Sequence, residues 1–158
     1  MTFNPELDLT ISRVIKAPRR DLWEAWTDPR QLEQWWVPAP GLCKVLALEL
    51  RPGGAFLTQY SEGTGKPFGP HINGCLLAVE PETRIVFTDT LTGGFRPAEQ
   101  PFMTGVISFR DHPEGTEYHA YAMHKNDADK KNHAEMGFYD GWGTVADQLA
   151  ALVEGRRR

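Results

Sequence analysis

Cysteine is scarce in this sequence. Only Cys43 and Cys75 are present, in no C-x-x-C spacing, which excludes a disulfide-stapled scaffold and a cysteine-built zinc site and leaves two reduced, packed thiols as the expectation. Long apolar runs are missing as well. No stretch is long enough to span a bilayer, and the opening MTFNPELDLTISR has no basic segment followed by an apolar one, so a cytoplasmic protein without a membrane partner is expected. Positive charge is in deficit: 17 Lys and Arg against 21 Asp and Glu give a net charge of −4, the wrong sign for displacing counterions from nucleic acid. The only basic run, Arg156, Arg157 and Arg158, reads as a complement to the negative end of a preceding helix rather than as a nucleic-acid arm. Catalytic signatures are absent too. There is no G-x-S-x-G elbow and no Walker-type glycine loop, and the five histidines, His71, His112, His119, His124 and His133, offer no zinc-binding i, i+4 pair with an acid. Neither a metal nor a cofactor is expected.

What is present is core-forming material. The 158 residues, 41% hydrophobic with 8 Phe and 5 Trp, suit one domain spanning 1–158 that buries a substantial core without staples. The segment LDLTISRVIK alternates Leu7, Leu9, Ile11 and Ile15 with polar residues, as a half-buried strand does. Arg13 falls on the apolar parity, which marks a bulge, a snorkelling stem or a buried cation awaiting an acid. Two proline-led helices follow. In APRRDLWEAWT, Pro18 suits a first helical position and Leu22, Trp23 and Trp26 share a face; in DPRQLEQWW, Asp28 caps, Pro29 opens the helix and Leu32, Trp35 and Trp36 form the buried stripe. From 42 to 124, six apolar segments separated by turn signals such as RPGG and HPEG read as strands in hairpin order, making about seven antiparallel strands with the first.

The last segment reads as one long helix, capped by Asn126 and stopped by Gly155. Phe138, Trp142, Val145, Leu149 and Leu152 recur at helical spacing, and beside them runs a narrow stripe of His133, Gly137, Gly141 and Thr144. Glycine inside a helix costs roughly 0.5–1 kcal/mol relative to alanine, so GFYDGWG, residues 137 to 143, needs a compensating reason. Two glycines four apart leave a trough. Facing it, Tyr118, Ala120, Ala122 and His124 share one side of a strand, so the two elements either pack closely or enclose a hollow.

The motifs SRVIKAPRRDLWEAWTDP, QWWVPAPG, LRPGGAF, GCLLAVEPETRIVFTDTL and HAEMGFYDGWGTVADQLAALV, spread over nearly the whole chain, resemble the START-like (SRPBCC) superfamily. The similarity is to its AHSA-like branch, the homologues of an activator of the heat-shock chaperone ATPase. The resemblance implies an α+β helix-grip fold: a curved seven-stranded antiparallel sheet wrapped around a long C-terminal helix, with a two-helix hairpin after the first strand. It also implies a cavity between sheet and helix that takes a small hydrophobic or aromatic molecule. Fold alone does not choose among carriers, cyclases and co-chaperone modules.

Strand alternation and helical phase aim Tyr60, Asn73, Tyr118 and Trp142 inward; with Trp36, read first as core of the helical hairpin and second as a lid, and with His124, His133, Gly137 and Gly141, they are the ligand-binding candidates. For proton transfer the candidates are His124, His133 and Asp89, the last sharing parity with Ile85 and Phe87 and having Arg13 as a possible partner. Three readings follow: ligand binding without covalent chemistry, a cyclase- or hydratase-like enzyme, and a chaperone-regulating module. Against the third, the activator that names the family carries a further N-terminal domain for which this chain has no room. A homodimer through exposed sheet or helix surface is compatible with all three.

Overall fold

The computed structural model describes residues 1–156; of the terminal basic run, Arg157 and Arg158 lie outside the described residues. The chain opens with β1 (Asp8–Ile15), passes through α1 (Arg19–Thr27) and α2 (Pro29–Leu32), then builds β2 (Leu42–Leu48), β3 (Ala55–Ser61), β4 (Gly69–Glu80) and β5 (Arg84–Thr88). After β6 (Leu91–Thr92) and β7 (Arg96–Pro97) come β8 (Met103–His112), β9 (Gly115–His124), α3 (Asp127–Glu135) and α4 (Phe138–Glu154). Seven strands form one antiparallel sheet in the order β1-β9-β8-β5-β4-β3-β2, and β6 with β7 makes a separate two-stranded sheet out of a segment that reads as loop. β1 and β2 are opposite edges of the sheet, so α1 and α2 carry the chain from one edge to the other across its face.

Local chemistry explains the helical connection. Asp28 accepts the backbone N–H of Arg30 at 3.0 Å and the Gln31 amide at 3.0 Å, while Pro29 takes the first helical position, where its missing N–H costs nothing. Pro18 is the residue before α1 rather than its first turn. Trp26 is the centre of the core: its ring meets Trp35, Trp36, Phe56 and Phe87, and its Nε1 donates to the Tyr118 hydroxyl at 3.1 Å. Trp35 donates to the Ala25 carbonyl at 3.0 Å, so both fully buried indoles satisfy their polar edge.

Two expectations about the backbone are corrected. The C-terminal segment is two helices, not one, and Gly137 is the joint: it sits at φ +97°, between the end of α3 and the first turn of α4, a conformation that side chains with a Cβ rarely adopt. The stripe of His133, Gly137, Gly141 and Thr144 is therefore not one helical face. Arg13 marks no bulge, because β1 pairs with β9 residue by residue from Asp8 opposite Met123 to Ile15 opposite Thr116. Its guanidinium instead reaches α4, binding Asp147 at 2.9 Å and passing so close to Gly143 that a Cβ there would stand 2.8 Å from Arg13 Nη2.

Candidate functional site

Sheet, helical connection and α4 enclose a partly open cavity of about 180 Å³. Ile11, Ile107, Tyr118 and Ala120 form its floor on β1, β8 and β9; Ile72, His71, Phe87 and Met103 line the β4–β5–β8 side; Trp36 and Pro38 come from the helical connection; Gly141, Trp142 and Val145 close it from α4. Gly141 holds the wall back. A Cβ built there meets nothing within 4 Å, so this glycine borders open space, whereas Gly143 borders Arg13.

Of the inward-aimed candidates, Trp36, Tyr118, Gly141 and Trp142 line this cavity. Tyr60 does not: it is 38% exposed, near the end of β3, with its ring 6.2 Å from that of His71. Asn73 also lies elsewhere, on a broad polar groove of about 700 Å³ shared with Asp89, Glu99 and Gln100. Asn73 pairs with Leu57 in regular register and alternates with Ile72 and Leu76, which face the core, so it points to the opposite side of the sheet; the β3–β4 register slips only beyond it, where Gln59 pairs with Pro70 and Thr58 stands opposite two residues of β4, His71 and Ile72. Such a bulge re-aims side chains, and here both His71 and Ile72 reach the cavity although they are neighbours in sequence. Gly137 is at the helix joint rather than on the wall.

The proton-transfer candidates are held in other bonds. His124 Nδ1 donates to the Leu7 carbonyl at 2.8 Å, and its Nε2 lies 2.8 Å from Nδ1 of His133, the two rings packed with Phe102 behind Trp142. A carbonyl only accepts, so with His124 neutral its Nε2 accepts the Nδ1–H of His133. Burial, and then the neighbouring His124, push the His133 pKa down to about 4. Asp89 is past the end of β5 rather than on its apolar face, and one of its oxygens accepts the backbone N–H groups of Phe102 and Met103, each at 2.9 Å. Arg13 is not its partner.

His71 is the wall residue that sequence reading passed over, and no periodicity reveals a bulge before the pairing is known. Its ring is held at Nδ1 by the Thr58 hydroxyl, 2.9 Å away, and although its outer edge is exposed, surrounding protein desolvates it enough to lower its pKa. Tyr118 is raised by burial, so its phenol stays protonated. Trp36 Nε1 is the one buried side-chain nitrogen or oxygen among the described residues without a hydrogen-bond partner. Its ring stands at 66° to Trp26 and 77° to Phe87, edge toward π face. No group of three or more metal-binding side chains occurs among the described residues, and no helix is long and apolar enough to cross a membrane.

The arrangement has relatives. The family model described as Activator of Hsp90 ATPase homolog 1-like protein matches residues 16–154. Protein NE0264 of Nitrosomonas europaea is 38% identical, with 98% of this chain and 99% of that one covered and a TM-score of 0.87. Protein CV1439 of Chromobacterium violaceum is 26% identical over 93% of this chain and 97% of its own, with a TM-score of 0.72. An AHSA1-like protein of Aeromonas hydrophila, 18% identical, covers 95% of this chain and 94% of its own at a TM-score of 0.69 and shares the fold. No curated protein matches. With the match spanning nearly the whole chain and the sheet closing around its C-terminal helix, this protein belongs to the Activator of Hsp90 ATPase homolog 1-like family.

Proposed function

We propose that this protein binds a small apolar or aromatic molecule in the cavity between the sheet and α4, without covalent chemistry of its own, in the cytoplasm. One observation carries the reading: at Gly141 the helix gives up a side chain where nothing else fills the space, beside a wall of Trp36, Phe87, Tyr118 and Trp142. Where close packing is the purpose of a glycine, as at Gly143, a neighbouring atom occupies the place of the Cβ. Apolar pockets with a few polar groups are the general form of small-molecule sites, and a dry apolar cavity of about 150 Å³ is enough to take up benzene. The enzyme reading has less support, because His124, His133 and Asp89 are bonded to one another or to backbone and none lines the cavity.

The test is thermal unfolding with toluene, on wild type and on Gly141→Leu. Probe at a hundred times its dissociation constant adds about 2.7 kcal/mol, which for a domain of this size raises the midpoint by roughly 5–10 °C. The leucine fills the hollow, so the variant should melt above the wild type and gain nothing from toluene. A wild type indifferent to toluene, or a variant that responds equally, removes the reading.

A further inference from the structure

The cavity and the polar groove have one residue in common, His71. It is placed there by the bulge at which Thr58 faces two residues of β4, and the bulge is stapled through a single hydroxyl: Thr58 Oγ1 accepts the Ile72 N–H at 3.2 Å and lies 2.9 Å from His71 Nδ1. Thr58 is 1% exposed. A buried hydroxyl must place its proton on an acceptor, and His71 Nδ1 is the one within hydrogen-bond reach among the described residues, so Thr58 donates to it while accepting from Ile72. A neutral histidine that accepts at Nδ1 carries its proton on Nε2. The edge of His71 turned away from Thr58 is thus a donor, held in register by the sheet, at the border between an apolar hollow and a polar one.

Charge narrows the class of ligand. Neither Lys nor Arg lines the cavity or the groove, while Asp89 and Glu99 bring carboxylates to the groove. A bound anion would lose its hydration without a cation to replace it and would face like charge. An ammonium buried in the cavity would find no carboxylate there and, at His71, an N–H rather than an acceptor. Size narrows it further, since about 180 Å³ has room for one ring.

Resting on the cavity-binding reading above, we propose that the occupant is an uncharged single-ring aromatic alcohol or carbonyl compound: the ring lies in the cavity, the oxygen accepts the Nε2–H of His71, and any polar extension runs along Asn73 and Asp89.

Three probes of nearly equal size separate the parts of this claim: propylbenzene, 2-phenylethanol and phenylacetate. Binding is followed by tryptophan fluorescence in wild type and in His71→Phe, which keeps a ring and removes the donor. The two proteins differ in their preference for alcohol over hydrocarbon, a ratio from which the hydration of the probes cancels, and His71→Phe should lose about tenfold of it, the worth of one hydrogen bond. Phenylacetate should bind wild type at least about tenfold more weakly than the alcohol. In wild type alone, 2-phenylethanol should raise the His71 pKa, read by NMR titration, and propylbenzene should lower it, so the claim stays testable should the variant not fold. Propylbenzene binding with an alcohol preference unchanged in His71→Phe overturns the role of His71 and leaves the cavity standing. Phenylacetate binding as tightly as the alcohol overturns the uncharged class. Failure of all three probes to bind wild type overturns the cavity reading as well.

Discussion

Alanine placed at two glycines four residues apart should move stability in opposite directions. Gly141 is inside α4, outside the positive-φ region, and an added Cβ touches nothing within 4 Å, so Gly141→Ala brings the helix-propensity gain of roughly 0.5–1 kcal/mol without a clash. Gly137 also has open space around its would-be Cβ, but its φ is +97°, so Gly137→Ala meets backbone strain on the order of 1–3 kcal/mol although nothing obstructs the methyl group. The expected separation between the two variants is about 1.5–4 kcal/mol, or on the order of 10 °C in melting temperature for a domain of this size. Urea titration monitored by tryptophan fluorescence measures it directly, and an unchanged m-value shows that the denatured state is comparable in both. Two variants equally destabilised would refute the reasoning, since that result requires both glycines to be inside one continuous, closely packed helix. Destabilisation by Gly141→Ala alone would mean that the wall is filled there.

Acid sensitivity should trace to the His124–His133 pair. The folded-state pKa of His133, about 4, is below the ordinary histidine value, so the unfolded chain takes up the proton first: stability is fully present above about pH 6.5 and drains away as pH falls toward 4, by on the order of 3 kcal/mol. His71 and His119 are also lowered by desolvation and steepen the same window, so the quantity to measure is the difference in slope between wild type and His133→Phe; identical slopes count against the coupling. The thiols should be silent in the native state. Burial, then the Glu33 carboxylate, push Cys43 up to about 12, and Cys75 is fully buried, so a disulfide reagent at pH 8 should find no thiol until denaturant is added and two thereafter. Rapid modification of the native protein contradicts this burial.

Much of the fold was legible because its signals are local. Alternation within LDLTISRVIK, the Asp28–Pro29 cap, the RPGG and HPEG turns and the apolar spacing of α4 each depend on residues a few positions apart, and together they give the seven strands of the main sheet, their succession along the chain and their antiparallel sense, though not the placing of β1 beside β9 or of β5 beside β8. The same locality accounts for Tyr118, Gly141 and Trp142 meeting at the cavity, since each is placed by the phase of its own element, whereas Trp36 comes from the turn that follows α2. Asn73 and Tyr60 escape it: Asn73 is on the face of β4 opposite Ile72 and Leu76, a choice of face that alternation alone leaves open, and Tyr60, near the end of β3, stays exposed and off the cavity wall. Asp89 and Arg13 escape it because partner choice between charges is a matter of distance in space, and Asp147, Phe102 and Met103 are the groups that arrive first.

The sequence by itself determined the seven main strands, the helices that flank them and their succession, encoded in periodicity and turn chemistry along the chain, and its motifs carried the family; the break between α3 and α4 and the small β6–β7 sheet were not in it. Only the tertiary structure decided what each glycine of GFYDGWG does: Gly137 turns the backbone, Gly141 borders the hollow and Gly143 makes way for Arg13. It also decided that His71 rather than His124 or His133 reaches the cavity. The physical reason is common to both. Whether a missing side chain leaves a hollow or a contact, and which face a residue presents at a bulge, depend on atoms brought together by pairing between distant strands, which no short window of sequence contains.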